Sequence, residues 1–303
     1  MKLALLATGG TIAGVGTAAR YTAARLGVES LLDAVPQLTE LCAWHTEQVF
    51  ALDSRDLTPA HWVQLATRCQ VLLDTSGIDG IIITHGTDTL EETAYALSLL
   101  LKAHKPVVLT AAMRPATDPQ ADGPANLLQA THESLTALPG VRVAVHGEVI
   151  AGEKVCKQHT QTIHAFAADE TPRPAAHIPL TSDAELPRVD LIHAFSGLAP
   201  DVVAHAVAAG ARGLVIAAAG DGSLPAALLP ALRSAHEAGV AVVRCSRVPH
   251  GGVSRDRNAD DSAEGWIPAG RLPPLKARIA LLLALAAGLD PAGTFARLSG
   301  DPI

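Results

Sequence analysis

Short apolar runs alternate with longer amphipathic stretches through the first half of the chain. Continuous runs such as GIIIT and VVLT are typical of strands that are buried on both faces of a sheet. Such runs predict five strands, at Leu3–Ala7, Gln48–Leu52, Gly80–Thr84, Pro106–Thr110 and Val141–Val145. Apolar residues at helical spacing predict the helices between them, at Pro59–Leu73, Leu90–Ala103 and Pro124–Leu138. Alternation of this kind predicts an α/β fold with parallel strands and right-handed crossovers.

A proline-rich segment interrupts the alternation at residues 171–187, TPRPAAHIPLTSDAELP. The pattern then restarts with predicted strands at Val189–Ala194, Gly213–Ala217 and Val240–Cys245. The helices predicted around these strands are Pro200–Ala209, Leu224–Ala238, Pro274–Ala287 and Pro291–Leu298. We therefore predict two α/β domains, a larger N-terminal sheet domain and a smaller C-terminal parallel-sheet domain. Their predicted extents are residues 1–175 and 188–303, with a linker at residues 176–187.

Composition and charge narrow the classes of function. Hydrophobic residues make up 49% of the 303 residues, which is enough for a sizeable core. A net charge of −7 argues against a nucleic-acid partner, which needs clustered Lys and Arg. The longest apolar run, Ile279–Leu289, is too short to span a bilayer, so no membrane partner is expected. The apolar stretch Leu3–Ala7 is too short for a secretory signal, which favours the cytoplasm. A periplasmic protein whose export signal has been removed is the alternative.

The spacing of cysteines and histidines predicts neither a metal site nor disulfide bonds. The four cysteines, Cys42, Cys69, Cys156 and Cys245, show no CxxC or other metal-type spacing, and we expect free thiols. The 13 histidines form no HExxH pair, so no metal site is predicted. Neither a GxSxG nucleophile motif nor a Walker A loop is present.

The first candidate site, Thr8–Gly14, directly follows the first predicted strand. Ligands of open α/β sheets bind at the carboxyl ends of strands, and glycines let backbone N–H groups approach a substrate. The next residues, Gly14–Ala19, match the dinucleotide pattern GxGxxA. That pattern must follow its strand immediately, whereas Gly14 lies seven residues past Ala7. A glycine-rich loop is therefore the favoured interpretation.

The second candidate site, Thr84–Thr93, also follows a buried strand and leads into a helix. Taken alone, its acidic residues are typical of a helix N-cap with carboxylates in the first turn. The third candidate is Lys157, one of two lysines in the segment Lys154–Thr160. A lone lysine is usually a solvated surface charge, so a role for Lys157 depends on what folds against it.

Together these segments resemble the bacterial-type L-asparaginase/glutaminase family. ATGGTIAG near the N-terminus and ITHGTDTLEETAY about 70 residues later are similar to its two signature motifs. Further stretches resemble the same family, namely AVPQL, PVVLTAAMRP, ADGPANL and SRVPHGG. The similarity thus extends over nearly the whole chain. It implies two α/β domains, no metal or organic cofactor, and a homotetramer built from intimate dimers whose sites combine residues of two subunits.

The resemblance also implies catalytic roles. Thr11 matches the nucleophilic threonine, whose hydroxyl would attack the amide carbon to form an acyl-enzyme. Tyr21, on the loop that follows, matches the tyrosine beside the nucleophile. The loop from Ala13 to Gly27 would close as a lid. Thr87, Asp88 and Lys157 match a second cluster, in which the lysine helps the threonine hydroxyl to handle protons and water.

The substrate-binding set implied by the family includes both signature motifs. Ser54 matches the residue that holds the substrate α-carboxylate, and Asp88 would pair with the α-ammonium. Ala112 matches a backbone position at the amide end of the substrate. Backbone N–H groups of Gly10 and Thr87 would stabilise the oxyanion, and Gly86 belongs to the same set.

Two residues depart from the common family pattern. Arg55 follows Ser54 where many members have Gln, and a guanidinium there would repel the substrate ammonium. We therefore expect Arg55 to point away from it or toward the substrate carboxylate. Asn258 aligns where many members contribute a Glu from the neighbouring subunit, although a small shift would bring in Asp256 or Asp260. Ser223 falls where some members place Asn and others Ser.

The expected function is hydrolysis of the side-chain amide of L-asparagine, releasing L-aspartate and ammonia. A glutaminase-asparaginase of mixed specificity is the first alternative. The amidase subunit of a tRNA-dependent amidotransferase is another, but its relatives carry an extra N-terminal domain before the first strand. A non-catalytic amino-acid-binding relative belongs to a different class. Retention of Thr11, Thr87, Asp88 and Lys157 together argues against that last reading.

Overall fold

The structure is a computed structural model that describes residues 1–174 and 176–299. The chain divides into two compact units, with residues 1–169 in the first and the second starting at Glu170. Residues 171–174 and 176–188 contain neither helix nor strand. Two limits of the predicted domains, residues 175 and 303, lie outside the described residues.

The first unit is an α/β sheet domain with a small hairpin near its N-terminus. Its strands are β1 (Lys2–Gly9), β2 (Val15–Thr17), β3 (Arg20–Thr22), β4 (Ala43–Leu52), β5 (Gly80–His85), β6 (Pro106–Ala111), β7 (Gly140–Val145), β8 (Glu148–Ala151), β9 (Val155–Lys157) and β10 (Phe166–Ala168). Its helices are α1 (Val28–Asp33), α2 (Leu38–Leu41), α3 (Pro59–Asp74), α4 (Leu90–Leu100) and α5 (Gly123–Thr136).

Six of these strands form one sheet in the order β4-β1-β5-β6-β7-β8. The first five run parallel, and β8 is added antiparallel to β7 at one edge. Every residue of β5 and β6 is buried, as expected for strands covered on both faces. Full burial of a side chain such as Ile82 contributes about 1.5–3 kcal/mol. The larger N-terminal sheet domain predicted from the sequence is therefore confirmed.

The edge strand β4 is longer than predicted, because it starts at Ala43 and not at Gln48. It has only one neighbour in the sheet, and its side chains are largely half-buried, so polar residues are tolerated in its first half. Glu47 is one of them and accepts a hydrogen bond from Arg68 Nε at 2.6 Å. This pairing holds the pKa of the Glu47 carboxyl down at about 2. A search for continuous apolar runs therefore finds only the second half of this strand.

Two predicted helices differ from the structure by three or more residues at one end. Helix α4 stops at Leu100 and not at Ala103, because Leu101 is already extended and the chain turns toward β6. The predicted helix Leu224–Ala238 is shorter, with a 3-10 turn at Ala226–Leu228 before the α-helix begins at Leu229. Pro225 cannot lie inside a helix, whereas Pro230 is tolerated in the first turn.

The second unit contains a four-stranded, fully parallel sheet in the order β11-β12-β13-β14. Its strands are β11 (Val189–His193), β12 (Gly213–Ala218), β13 (Ala241–Ser246) and β14 (Ile267–Pro268). Its helices are α6 (Asp201–Ala208), α7 (Leu229–Glu237), α8 (Asp261–Glu264), α9 (Pro274–Ala286) and α10 (Pro291–Leu298). The predicted smaller C-terminal parallel-sheet domain is confirmed. Among the described residues, no helix has the length and hydrophobicity that crossing a membrane requires.

Candidate active site

The carboxyl ends of four adjacent strands bring the predicted site residues of the first unit together. Strands β4, β1, β5 and β6 are neighbours in the sheet, and each is followed by one of the predicted segments. Register pairs such as Gly9 with Leu52 and His85 with Ala111 show that the strands end at one edge. This edge is where parallel α/β sheets bind ligands.

The two signature segments touch through glycines. A Cβ built on Gly10 would lie 2.3 Å from the Cα of Gly86, and Gly10 has a φ of 77°. A Cβ on Gly86 would lie 2.5 Å from the Oγ of Ser54. Only glycine permits backbones to approach this closely, and Gly10 also needs its left-handed conformation. Both glycines and Ser54 therefore form one packed contact at the edge of the sheet.

Thr11 begins a 3-10 turn directly after Gly10 and is buried. The hydroxyls of Thr11 and Tyr21 share a hydrogen bond, with 2.9 Å between the two oxygens. Tyr21 lies on β3, which pairs antiparallel with β2. We call residues Val15–Thr22 the Tyr21 hairpin. The GxGxxA sequence, Gly14–Ala19, overlaps this hairpin and does not begin a helix. It therefore lacks the structural context of a dinucleotide site.

The Tyr21 hairpin is docked on the loop that follows β6. The Thr117 hydroxyl accepts a hydrogen bond from Gly16 N at 2.8 Å and donates one to Gly16 O at the same distance. Asp118 Oδ2 accepts a hydrogen bond from Ala18 N at 2.8 Å. These contacts span about 100 positions of the sequence, and we did not predict them. They hold the region that we predicted to be a lid.

The second cluster is also assembled. Lys157 Nζ donates hydrogen bonds to Thr87 Oγ1 at 3.0 Å and to Asp88 Oδ1 at 2.7 Å. The backbone N–H of Lys157 donates to Glu91 Oε2 at 2.7 Å. The Asp88 side chain is 57% exposed, which leaves part of its carboxylate accessible from solvent. Lys157 is therefore packed against the second signature motif and is not a solvated surface charge.

The predicted oxyanion donor at Gly10 is not supported, because its N–H donates to Leu52 O at 2.8 Å. That bond continues the pairing of β1 with β4 and removes the group from the site. Among the described residues, the N–H groups of Thr11 and Thr87 have no partner in the protein. Both groups belong to the residues that carry the two threonine hydroxyls, and they are candidate backbone donors in the site.

His85 holds the peptide that precedes Thr87. A carbonyl oxygen only accepts, so His85 Nδ1 donates to Gly86 O at 2.7 Å, and Nε2 accepts from the Thr93 hydroxyl at 2.9 Å. Burial lowers the pKa of His85 to about 4, which keeps the ring neutral at pH 7. In a trans peptide the C=O and N–H point in opposite directions, so fixing Gly86 O also fixes the Thr87 N–H. The predicted site omitted His85.

Arg55 points toward a carboxylate of the protein, since its Nη2 lies 2.7 Å from Asp53 Oδ2. The pair offsets the positive charge that we expected to disturb the binding of an ammonium. Ala112 is buried just after β6. The turn that follows it is held by Asp122, whose carboxylate accepts hydrogen bonds from Met113 N and Arg114 N, each at 2.9 Å.

Ser223 and Asn258 lie together in the second unit, on loops at the carboxyl end of its sheet. Asn258 Nδ2 donates to Asp221 O at 3.2 Å, two residues from Ser223. The loops are held by a fully buried ion pair between Arg244 and Asp261, in which Nε donates to Oδ1 at 2.8 Å. Breaking such a buried pair from one side costs about 3–5 kcal/mol. Ser223 and Asn258 therefore share one loop cluster that is held by this ion pair.

Asp256 and Asp260, the alternatives to Asn258, are both engaged in local structure. The Asp256 carboxylate accepts hydrogen bonds from Ser262 N and Oγ, at 2.9 and 2.8 Å. Asp260 caps α8 by accepting a hydrogen bond from Ala263 N at 2.9 Å. Asn258 also makes a local bond, from Nδ2 to Asp221 O, but its amide oxygen accepts no hydrogen bond from the described residues.

The described residues contain no group of three or more His, Cys, Asp or Glu side chains arranged to hold a metal ion. The polar groups that the structure brings together at the site are hydroxyls, an amine, carboxylates and backbone amides.

Comparison with known proteins identifies the family of both domains. Residues 2–184 match the family model of the asparaginase N-terminal domain, and residues 188–294 match that of the glutaminase/asparaginase C-terminal domain. L-asparaginase 2 of Escherichia coli is 39% identical, over 96% of this chain and 90% of that protein. A probable periplasmic L-asparaginase of Haemophilus influenzae is 37% identical over the same shares.

A solved structure agrees as well. The probable cytoplasmic L-asparaginase of Campylobacter jejuni superposes with a TM-score of 0.90 at 34% identity, over 98% of this chain and 99% of that one. With both domains matched in order over almost the full length, the chain belongs to the asparaginase/glutaminase family.

Proposed function

We propose that the chain hydrolyses the side-chain amide of L-asparagine to L-aspartate and ammonia, with Thr11 as nucleophile. The observation that carries this proposal is the convergence of two hydroxyl clusters. Thr11 lies against Tyr21, and Thr87 lies against Lys157 and Asp88. Contact between Gly10 and Gly86 makes the two clusters adjacent. Such a pair of clusters fits a reaction in two halves, acylation and hydrolysis.

In the first half, the Thr11 hydroxyl would attack the amide carbon while the neighbouring Tyr21 hydroxyl receives or relays the proton. The free N–H groups of Thr11 and Thr87 would stabilise the oxyanion, an effect worth about 3–4 kcal/mol per donor in other acyl-transfer enzymes. This proton is passed to the amide nitrogen, so that the C–N bond breaks, ammonia leaves and an ester to Thr11 remains. In the second half, Thr87 and Lys157 would orient and deprotonate the water that cleaves this ester.

Substrate binding would use the polar groups around these hydroxyls. Ser54 would hold the α-carboxylate, Asp88 the α-ammonium, and the backbone at Ala112 the amide end. Asp88 can pair with an ammonium because more than half of its side chain is exposed beside Lys157. Asp53 neutralises Arg55, which supports binding of an ammonium in this region.

We expect asparagine to be preferred over glutamine by about 10–200-fold in kcat/KM, because pockets distinguish one methylene by only ~1–3 kcal/mol. Anchors for both α-groups fix where the amide carbon lies, and the longer glutamine places it differently over Thr11. An ammonia-release assay with both amides measures the ratio. Equal kcat/KM values would instead support a mixed glutaminase-asparaginase, the alternative that the name of the C-terminal family model suggests. Binding without release from either amide would support a non-catalytic relative.

We also propose that Ser223 and Asn258 complete the site of another copy of the chain, in a homotetramer built from intimate dimers. Their position together on one held loop cluster supports this role. An isolated protomer should then be inactive, because each site would lack these residues. Specific activity should fall on dilution in step with dissociation, followed by light scattering on the same samples. A fully active monomer would refute the shared site.

We propose the cytoplasm as its location, as in the name of the Campylobacter jejuni protein. The name of the Haemophilus influenzae relative refers to the periplasm, which is the alternative.

A further inference from the structure

The start of helix α4 contacts both the backbone and the side-chain amine of Lys157. Asp88, just before the helix, accepts a hydrogen bond from the Lys157 amine at 2.7 Å. Glu91, in the first turn of the helix, accepts one from the Lys157 backbone N–H, also at 2.7 Å. The two carboxylates lie three positions apart in the sequence, whereas Lys157 lies 66 positions from Glu91. One short segment thus holds a distant residue by its backbone and by its amine.

The sheet does not by itself fix Lys157 against Thr87. Lys157 ends β9, which pairs only with β10 in a separate two-stranded sheet. The register partner of Lys157 in that pair is Phe166. Thr87 follows β5, in the middle of the six-stranded sheet. Helix α4 packs against β9, and within that contact the bond from Glu91 is the one that holds the Lys157 backbone.

Lysine needs such support more than most residues, because its four-carbon side chain has many rotamers. A hydrogen bond at the tip alone leaves the backbone free to shift, and the amine then samples several positions. The Glu91 bond goes to a neutral amide, and the amine bonds to Thr87 and Asp88. Glu91 can thus fix the position of Lys157 without taking its amine away from Thr87.

We propose that Glu91 is a positioning residue, which holds the Lys157 backbone so that the amine stays within hydrogen-bond distance of Thr87. The inference rests on the proposed catalytic role of Lys157. Its main competitor is a purely local role, in which Glu91 stabilises the N-terminus of α4 as a first-turn carboxylate. The two roles predict different results for kcat, for thermal stability and for replacement by glutamine.

Three variants separate these roles. Glu91→Gln keeps a side-chain oxygen that accepts the Lys157 N–H, Glu91→Ala removes it, and Glu91→Asp shortens the reach by one methylene. Asp201→Ala is the matched control, because it removes a first-turn carboxylate from α6 in the second unit. We expect Glu91→Ala to lower kcat for asparagine by about 10- to 100-fold, the effect of misplacing a catalytic group by roughly 1 Å. KM should change little, because Glu91 is not one of the proposed substrate ligands.

The expected order of kcat is parent, Glu91→Gln, Glu91→Asp, Glu91→Ala, with Glu91→Gln close to the parent. Amide hydrogen exchange at Lys157 should speed up in Glu91→Ala and not in Glu91→Gln. If Glu91→Ala lowers only the melting temperature, as Asp201→Ala does, Glu91 has a local role and the proposal is wrong. If Glu91→Gln loses as much kcat as Glu91→Ala, the charge matters and positioning by the hydrogen bond is refuted.

A double variant keeps this test separate from that of the proposed function. Where Lys157→Met lowers kcat, adding Glu91→Ala to it should cause no further loss, because there is no amine left to position. Normal kcat in Lys157→Met would overturn the catalytic role of Lys157. Reduced kcat in Lys157→Met together with normal kcat in Glu91→Ala would overturn the positioning role alone.

Discussion

Replacement of Thr11 by alanine should lower kcat for asparagine by about 10⁴-fold or more, while the protein stays folded. Loss of a nucleophile costs on the order of 10⁶-fold in a well-studied hydrolase, with oxyanion donors and binding supplying the remainder. The methyl group of alanine preserves the buried turn, and the variant loses one hydrogen bond, to Tyr21. That bond contributes about 0.5–1.5 kcal/mol, which a typical domain tolerates.

The measurement is steady-state ammonia release by purified Thr11→Ala, with circular dichroism to follow the fold and the melting temperature. Thr22→Ala is the matched control, since it removes a threonine hydroxyl from the exposed end of the Tyr21 hairpin. Thr11→Ser, which restores a hydroxyl, should recover part of the activity. A kcat for Thr11→Ala within about tenfold of the parent would exclude Thr11 as nucleophile, since tenfold is only ~1.4 kcal/mol of barrier.

Replacement of Lys157 by methionine should lower kcat by about 10²–10⁴-fold, the usual contribution of a positioned acid or base. Methionine retains most of the length of lysine and removes the amine that contacts Thr87 and Asp88. The stability cost should be small, because Asp88 is largely exposed and water can replace its lost partner.

Lys154→Met is the control for Lys157→Met, because it removes the same charge three positions earlier on the same segment. Single-turnover experiments should show which half of the reaction slows. We expect acyl-enzyme to accumulate in Lys157→Met, because Lys157 is proposed to serve the hydrolysis of the ester. Turnover in Lys157→Met equal to that of the Lys154→Met control would remove Lys157 from the mechanism.

The sequence predicts the central strands of this fold well, and the reason is their burial. Strands β5 and β6 are covered on both faces, so most of their positions carry small or apolar side chains. Strand β4 and the hairpin of β2 and β3 are partly exposed, and their composition follows no single rule. Local patterns therefore identify the buried sheet and miss the elements at its margins.

In the candidate site, the sequence likewise predicts features that are local in the chain and does not predict contacts between distant segments. The two signature motifs fall at strand ends, where the sequence predicts them, since strand and motif are contiguous. Contacts of Glu91 with Lys157 and of Asp118 with Ala18 join segments far apart in the chain. No spacing rule reveals such contacts. The same limit applies to the predicted oxyanion donor at Gly10, because its N–H is bonded to Leu52 O of the neighbouring strand.

The glycine contact between the two motifs limits how this protein can vary. The Cβ of an alanine at Gly10 would lie 2.3 Å from the Cα of Gly86, and that of an alanine at Gly86 would lie 2.5 Å from the Oγ of Ser54. We therefore expect no single substitution to be tolerated at either glycine. Relief at one position would require the opposite strand end to retreat, which would move Thr11 away from Thr87. A mutational library aimed at new amide substrates should therefore keep both glycines fixed. The exposed positions of the Tyr21 hairpin and of the loop that carries Asn258 are better targets for variation.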